Sequence, residues 1–124
     1  MSQLFQPYTF PSEGNDTRLQ LDNKLIVAPM CQYSADNGMA CDWHLSHWTN
    51  LLNSGASMLI IEATAVTPEG RITPACLGLW DNKTEEALGN TLARARRLAP
   101  GNVKVCIQLA HAGRKGSSAL PWLG

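Results

Sequence analysis

The sequence predicts an α/β fold on a parallel sheet, and three observations carry that expectation. Segments apolar on both faces, at residues 24–28, 57–65 and 103–110, alternate with two stretches of helical periodicity at 43–53 and 83–99. Doubly buried strands separated by amphipathic helices are the pattern of parallel sheets with right-handed crossovers. The strand exits, "APMCQY", "EATAV" and "QLAHAGRK", carry small or polar residues, and ligands of such sheets sit beyond the carboxyl ends of the strands.

Each element has a local reason. "YTF" and "RLQL" flank "PSEGND", a run of turn formers, so residues 8–23 read as a hairpin. "KLIVA" has β-branched Ile26 and Val27 at its centre, and Pro29 ends it because it cannot donate a ladder hydrogen bond. Asp42 suits the N-cap of a helix over 43–53, with Leu45, Trp48 and Leu52 on one face and Gly55 as its stop. "SMLIIEATA" is a second buried strand, and "VTPEGRITPACLGLW" reads as a long loop broken by Pro68, Gly70 and Pro74.

A second helix over 83–99 is capped by Asp81 or Asn82. Glu85 and Glu86 in its first turn and Arg94, Arg96 and Arg97 in its last match the helix dipole. Leu88, Leu92, Ala95 and Leu98 form its apolar stripe, which Gly89 weakens. "PGN" stops it, "VKVCIQLA" is the third strand, and a Gly-rich loop follows. That strand has no covering helix after it and the sheet has open edges, so the expectation is the first part of something larger.

At 124 residues the chain has the length of one domain, and 44% hydrophobic with 16% charged residues is a globular composition. Ten basic residues balance ten acidic ones, which argues against nucleic acid or an anionic membrane as partner. The longest apolar run is broken by Glu62, and the first ten residues lack a signal-peptide pattern, so a cytoplasmic location is expected. Cys31, Cys41, Cys76 and Cys106 form no C-x-x-C pair and read as free thiols.

"LDNKLIVAPMCQYSADNG", "IIEATAVTPEGRITPACLGLWD" and "IQLAHAGRK", together with "LFQPYTF", resemble the old yellow enzyme family of flavin-dependent ene-reductases, and "PMCQY" points to its xenobiotic-reductase subclass. The resemblance covers nearly the whole chain. It implies that residues 1–124 are a partial FMN-binding domain: the first three βα steps, with an N-terminal hairpin, of a TIM (β/α)8 barrel. It further implies FMN as cofactor, NADPH or NADH as reductant, and reduction of the activated double bond of an α,β-unsaturated carbonyl compound. The full-length parent is compatible with a homo-oligomer.

By position, the resemblance implies that the backbone of Ala28, Pro29, Met30 and Cys31 runs along the flavin ring. Cys31 would sit near its redox-active edge, where a thiol can tune its potential, and Tyr33 would reach the substrate pocket. Ala63 and Gln108 would meet the pyrimidine end, with Arg114 and Lys115 close by. The family's substrate-activating histidines, its proton-donating tyrosine and its FMN-phosphate loops come from later strands. No catalytic residue is therefore identified here, and the chain alone is expected to be inactive. Lys24 stands where the family often has arginine, and the "PSEGNDT" turn is longer than usual.

Plainer readings compete. Cys31 suits a small buried hydrophobe, and Tyr33 a loop aromatic packed for area. Gln108 would be costly in a core strand unless its amide were used; strand parity sets it with Cys106, opposite Val105, Ile107 and Leu109, which would face the helices. His44 and His47 read as solvated helix residues, since their spacing with Cys31 and Cys41 fits no usual zinc site. His111 reads as a structural hydrogen-bonder at the rim, and Glu62 needs a partner, with Arg71 or Arg114 the first choice. "GRKGSS" lacks P-loop spacing, and an unrelated dinucleotide-binding domain would need a G-x-G-x-x-G turn that is missing. A truncated remnant or one half of a split flavoprotein is the non-enzymatic alternative.

Overall fold

The computed structural model describes residues 2–11 and 18–123. Strands β1 (Tyr8–Thr9) and β2 (Gln20–Leu21) pair antiparallel, Tyr8 opposite Leu21. The "PSEGND" turn between them falls largely outside the described residues. The hairpin lies against the N-terminal ends of the strands that follow. Lys24 donates its N–H to the Leu4 carbonyl at 2.9 Å, and Asn102 reaches Asp22 at 3.5 Å.

The main sheet is parallel and centred on β4 (Met58–Ala65). Strand β3 (Ile26–Val27) lies on one edge, opposite Met58 and Leu59. Strand β6 (Lys104–Ala110) runs along the other edge, from Met58 opposite Lys104 to Ala65 opposite Ala110. The loop expected over residues 66–80 contains a strand, β5 (Leu77–Gly78), which pairs with Thr64 and Ala65 above the point where β3 leaves β4. Gly78 sits directly under the Trp80 ring: a Cβ there would lie 2.1 Å from it.

Helices α1 (Asp42–Leu52) and α2 (Asn82–Leu98) cover one face of this sheet. Trp48 and Leu52 of α1 pack with Leu59 and Ile61 of β4, and with Ala95 and Ala99 at the end of α2. The α2 stripe therefore closes on Ala99, not Leu98, which is 61% exposed. Asp81 caps α2: its side chain accepts from the Thr84 N–H at 2.8 Å, while Thr84 Oγ1 accepts from the Asp81 N–H at 3.2 Å. This reciprocal pair satisfies two of the helix's orphan donors.

The N-cap of α1 is Cys41, one residue before the expected Asp42, because His44 supplies the acceptor. The Cys41 N–H donates to His44 Nδ1 at 3.1 Å, and Asp42 becomes the acidic residue of the first turn. After the C-cap at Asn53, Gly55 takes a left-handed φ of +88°.

Parity along β6 holds in part. Val105 and Ile107 pack against the core and Cys106 and Gln108 are exposed, but Leu109 is 58% exposed and does not join the helix-facing set. At this level the register slips. Ile61 is opposite Ile107 and Thr64 opposite Leu109, so β4 carries one extra residue, at Glu62–Ala63, across from Gln108. A bulge of this kind re-aims the side chains beside it.

Candidate functional site

Past Val27, Pro29 turns the chain away from β4 and leaves its edge uncovered until β5 arrives. The loop over residues 30–34 crosses this gap. The Ala63 N–H points to the Cys31 sulfur and Gln32 donates its N–H to Glu62 Oε2 at 2.9 Å, so side chains take the place of a missing ladder. Tyr33 follows with φ +49°, a left-handed conformation rare for an aromatic residue. Its phenol lies near the Cys31 sulfur, and its ring meets Trp122 edge-on with centroids 6.4 Å apart.

The expected site residues gather at one end of the sheet. Gln108 lies across the bulge from Ala63, the loop over residues 28–31 exits beside it, and Ala28, Met30 and Gln108 are exposed while Pro29, Cys31 and Ala63 are half-buried. The Gln108 amide has no hydrogen-bond partner among the described residues. Arg114 and Lys115 stand on an exposed 3-10 turn, Gly113–Lys115, beyond β6. His111 Nδ1 accepts the Gly113 N–H at 3.1 Å.

Burial raises the Cys31 thiol above its ordinary value, and the Ala63 N–H only partly offsets that. Burial likewise raises Tyr33, with the neighbouring Cys31 adding to it. Both groups are therefore protonated at neutral pH, and each can donate as well as accept.

Two expectations about this region are overturned. His44 is not solvated but fully buried, at 0% exposure, its ring tilted against Trp48 with centroids 5.5 Å apart. Burial lowers its pKa to about 4, so it is neutral at pH 7. His47 is half-buried, and burial lowers it too. Glu62, 4% exposed, meets neither Arg71 nor Arg114. Arg71 is occupied by the Pro68 and Pro74 carbonyls and lies 5.4 Å from the Trp80 ring centroid. Glu62 faces the Gln32 N–H and His44 Nε2, the latter 3.6 Å from Oε1. Burial raises the carboxyl to about 7, with the Gln32 N–H pulling the other way. The signal for His44 was in the sequence: His44, Trp48 and Leu52 recur every four residues, so the histidine shares the buried face.

The FMN-family model, described as NADH:flavin oxidoreductase / NADH oxidase, matches residues 3–120. An NADH:flavin oxidoreductase of Gibberella zeae is 46% identical over 101 residues, 82% of this chain and 24% of its own length. An NADPH dehydrogenase of Clostridium acetobutylicum is 37% identical over 122 residues, 96% of this chain and 33% of its own length. The chain thus spans a quarter to a third of these curated relatives.

Among solved structures, morphinone reductase in complex with tetrahydroNAD superposes with a TM-score of 0.75 at 22% identity, over 94% of this chain and 29% of that one. The old yellow enzyme from Trypanosoma cruzi gives 0.73 at 22%, over 92% and 28%. The fold is therefore the opening portion of a TIM barrel of the old yellow enzyme type. No helix among the described residues is long and apolar enough to cross a membrane. By the match over residues 3–120, the chain belongs to the NADH:flavin oxidoreductase / NADH oxidase family.

Proposed function

We propose that the chain forms one wall of an FMN site in an NAD(P)H-dependent oxidoreductase that reduces the activated carbon–carbon double bond of α,β-unsaturated carbonyl compounds. The observation that carries this reading is the unpartnered Gln108 amide on β6, held across the β4 bulge from Ala63, whose N–H points to Cys31 on the other edge. These residues suit a flat heteroaromatic ring. Ala28 and Ala63 leave room for a plane to approach the backbone, and an amide that both donates and accepts matches the alternating edge of a pyrimidinedione.

When bound, FMN supplies the two-electron redox chemistry that amino-acid side chains lack. The chain's own residues bind, orient and hold protons. The backbone from Ala28 to Cys31 and the Ala63 side chain would form the floor, and Gln108 would fix the ring's rotation. Cys31, kept neutral by burial, would place a polarisable S–H or sulfur beside the ring, where it shifts the balance between oxidised and reduced forms. The Tyr33 phenol, also neutral, would face the substrate space as a hydrogen-bond donor.

FMN titration of the full-length protein tests the reading. Gln108→Ala should weaken binding about tenfold, the scale of losing one or two well-made hydrogen bonds; an unchanged affinity contradicts it. The coverage of only 24% to 33% of its relatives supports a companion reading of the isolated segment. It should bind FMN weakly and turn nothing over, because the remaining walls of the barrel are needed to enclose a ligand.

A further inference from the structure

The polar network behind the Cys31–Tyr33 loop has a definite proton arrangement. His44 Nδ1 accepts the Cys41 N–H at 3.1 Å. A neutral imidazole that accepts at Nδ1 must carry its proton on Nε2. That Nε2–H faces Glu62 Oε1 across 3.6 Å, inside the protein and beyond hydrogen-bond length, and neither atom has a hydrogen-bond partner among the described residues. The other carboxylate oxygen, Oε2, already accepts the Gln32 N–H at 2.9 Å. Glu62 thus stands between two donors, one from α1 and one from the loop that carries Cys31 and Tyr33.

The same loop is tied down from its other side. Gln32 donates its side-chain amide to the Met30 carbonyl at 2.9 Å and accepts from Trp43 Nε1 at 3.1 Å. Ser34 Oγ donates to the Gln32 carbonyl at 2.9 Å, and the Cys41 thiol donates to the Ser34 carbonyl at 3.1 Å. These bonds fold the loop on itself and onto α1. At the bulge Glu62 ties the Gln32 backbone, one residue from Cys31, to the sheet, beside the Ala63 N–H that points to the Cys31 sulfur.

We infer that Glu62 and His44 are positioning residues: a buried carboxylate, oriented by the His44 Nε2–H, holds the Gln32 backbone and thereby sets Cys31 and Tyr33 over the strand exits. The role of that loop toward FMN rests on the function proposed above; the positioning does not. A carboxylate can accept at both oxygens, whereas a glutamine amide of the same shape has one acceptor and one donor. Glu62→Gln therefore sets an N–H against an N–H whichever way the amide turns. Removing the His44 donor as well lets the amide oxygen turn to Gln32 and resolves the conflict.

The test is site-resolved alkylation of the purified chain without flavin, at about pH 8, where Glu62 is mostly ionised. Cys76, 2% exposed and bonded to the Thr73 turn, reports global opening. Glu62→Gln should speed alkylation of Cys31 about tenfold, the scale of one lost charge-assisted hydrogen bond, and leave Cys76 at its wild-type rate. The pair His44→Phe with Glu62→Gln should return Cys31 to within about threefold of wild type.

An unchanged Cys31 rate in Glu62→Gln overturns the inference, as does a parallel rise at Cys76, which would mark a general packing role. A rate that stays high in the double variant overturns the two-donor arrangement. Should Glu62→Gln not fold, nitrogen NMR of the wild-type chain decides: the proton of His44 must be on Nε2, and finding it on Nδ1 overturns the inference. Because no flavin is present, a failure of FMN binding would sink the proposed function and leave this result readable.

Discussion

The two halves of β4 are built to different rules. From Met58 to Ile61 the strand runs in step with β3 on one edge and β6 on the other, and Leu59 and Ile61 are sealed under Trp48 and Leu52. From Glu62 to Ala65 the register slips, β3 is gone, β5 replaces it, and a carboxylate lies buried at 4% exposure. The first half gains from apolar burial and ladder hydrogen bonds and places no chemistry. The second gives up part of its ladder, and the groups left over are the ones aimed at the strand exits. Regularity ends where a ligand would begin.

The largest effect should come from breaking the regular half. Trp48, 1% exposed, fills the contact between α1 and β4, so Trp48→Ala should cost about 3–5 kcal/mol, read as a shift of the denaturation midpoint. The irregular half is tight for a different reason. Trp80 lies over Gly78 in β5 and over Gly38, where a Cβ would come within 2.3 Å of the ring. Gly78→Ala should cost about 1–3 kcal/mol by displacing that indole. A Gly78→Ala protein as stable as wild type would show that the upper half tolerates repacking that the lower does not.

The pH dependence of stability separates the halves more finely. Glu62 is raised from its ordinary 4.5 to about 7, so between these values the folded state binds a proton the unfolded one has lost, and stability falls as pH rises. His44 is lowered from 6.5 to about 4, so here the unfolded state holds the extra proton, and stability rises with pH across that window. Where the windows overlap, from about 4.5 to 6.5, the two slopes oppose each other and this pair contributes a nearly flat profile. His47 on the same helix adds a weaker rise through its own lowered pKa, and Cys31 titrates well above this range. Glu62→Gln removes the falling slope, so the variant should gain stability with pH by up to about 1.4 kcal/mol per unit there. Denaturation midpoints measured across this range check it; parallel profiles would refute the buried assignments. Smallest of all, Asp81→Ala removes the α2 cap and should cost about 1 kcal/mol in the same assay.

The sequence was legible wherever one local rule had no competitor. The three principal strands and both helices follow from periodicity and composition, the cap of α2 was narrowed to Asp81 or Asn82, and the exits were placed together by the parallel topology alone. Strand β5 was not legible, because two residues carry no period and Pro74 suggested a loop. The Cys41 cap was missed because Asp42 is the better capping type by statistics, while His44 supplies the acceptor in fact. Reading His44 as solvated weighed polarity above its four-residue spacing from Trp48. Glu62 was recognised as needing a partner, but the bulge that turns it toward α1 exists only in three dimensions, so an arginine was the natural wrong choice.

The function proposed above places FMN over the exits of β3, β4 and β6, with Cys31 against it. Its most direct test is alkylation of the full-length protein with and without saturating FMN, read by mass spectrometry at Cys31 and at Cys41, whose thiol bonds the Ser34 carbonyl away from the proposed ring. FMN should slow Cys31 by at least about tenfold, as occupancy of a tight site does, and leave Cys41 unchanged. Equal rates at Cys31 with FMN bound would contradict it.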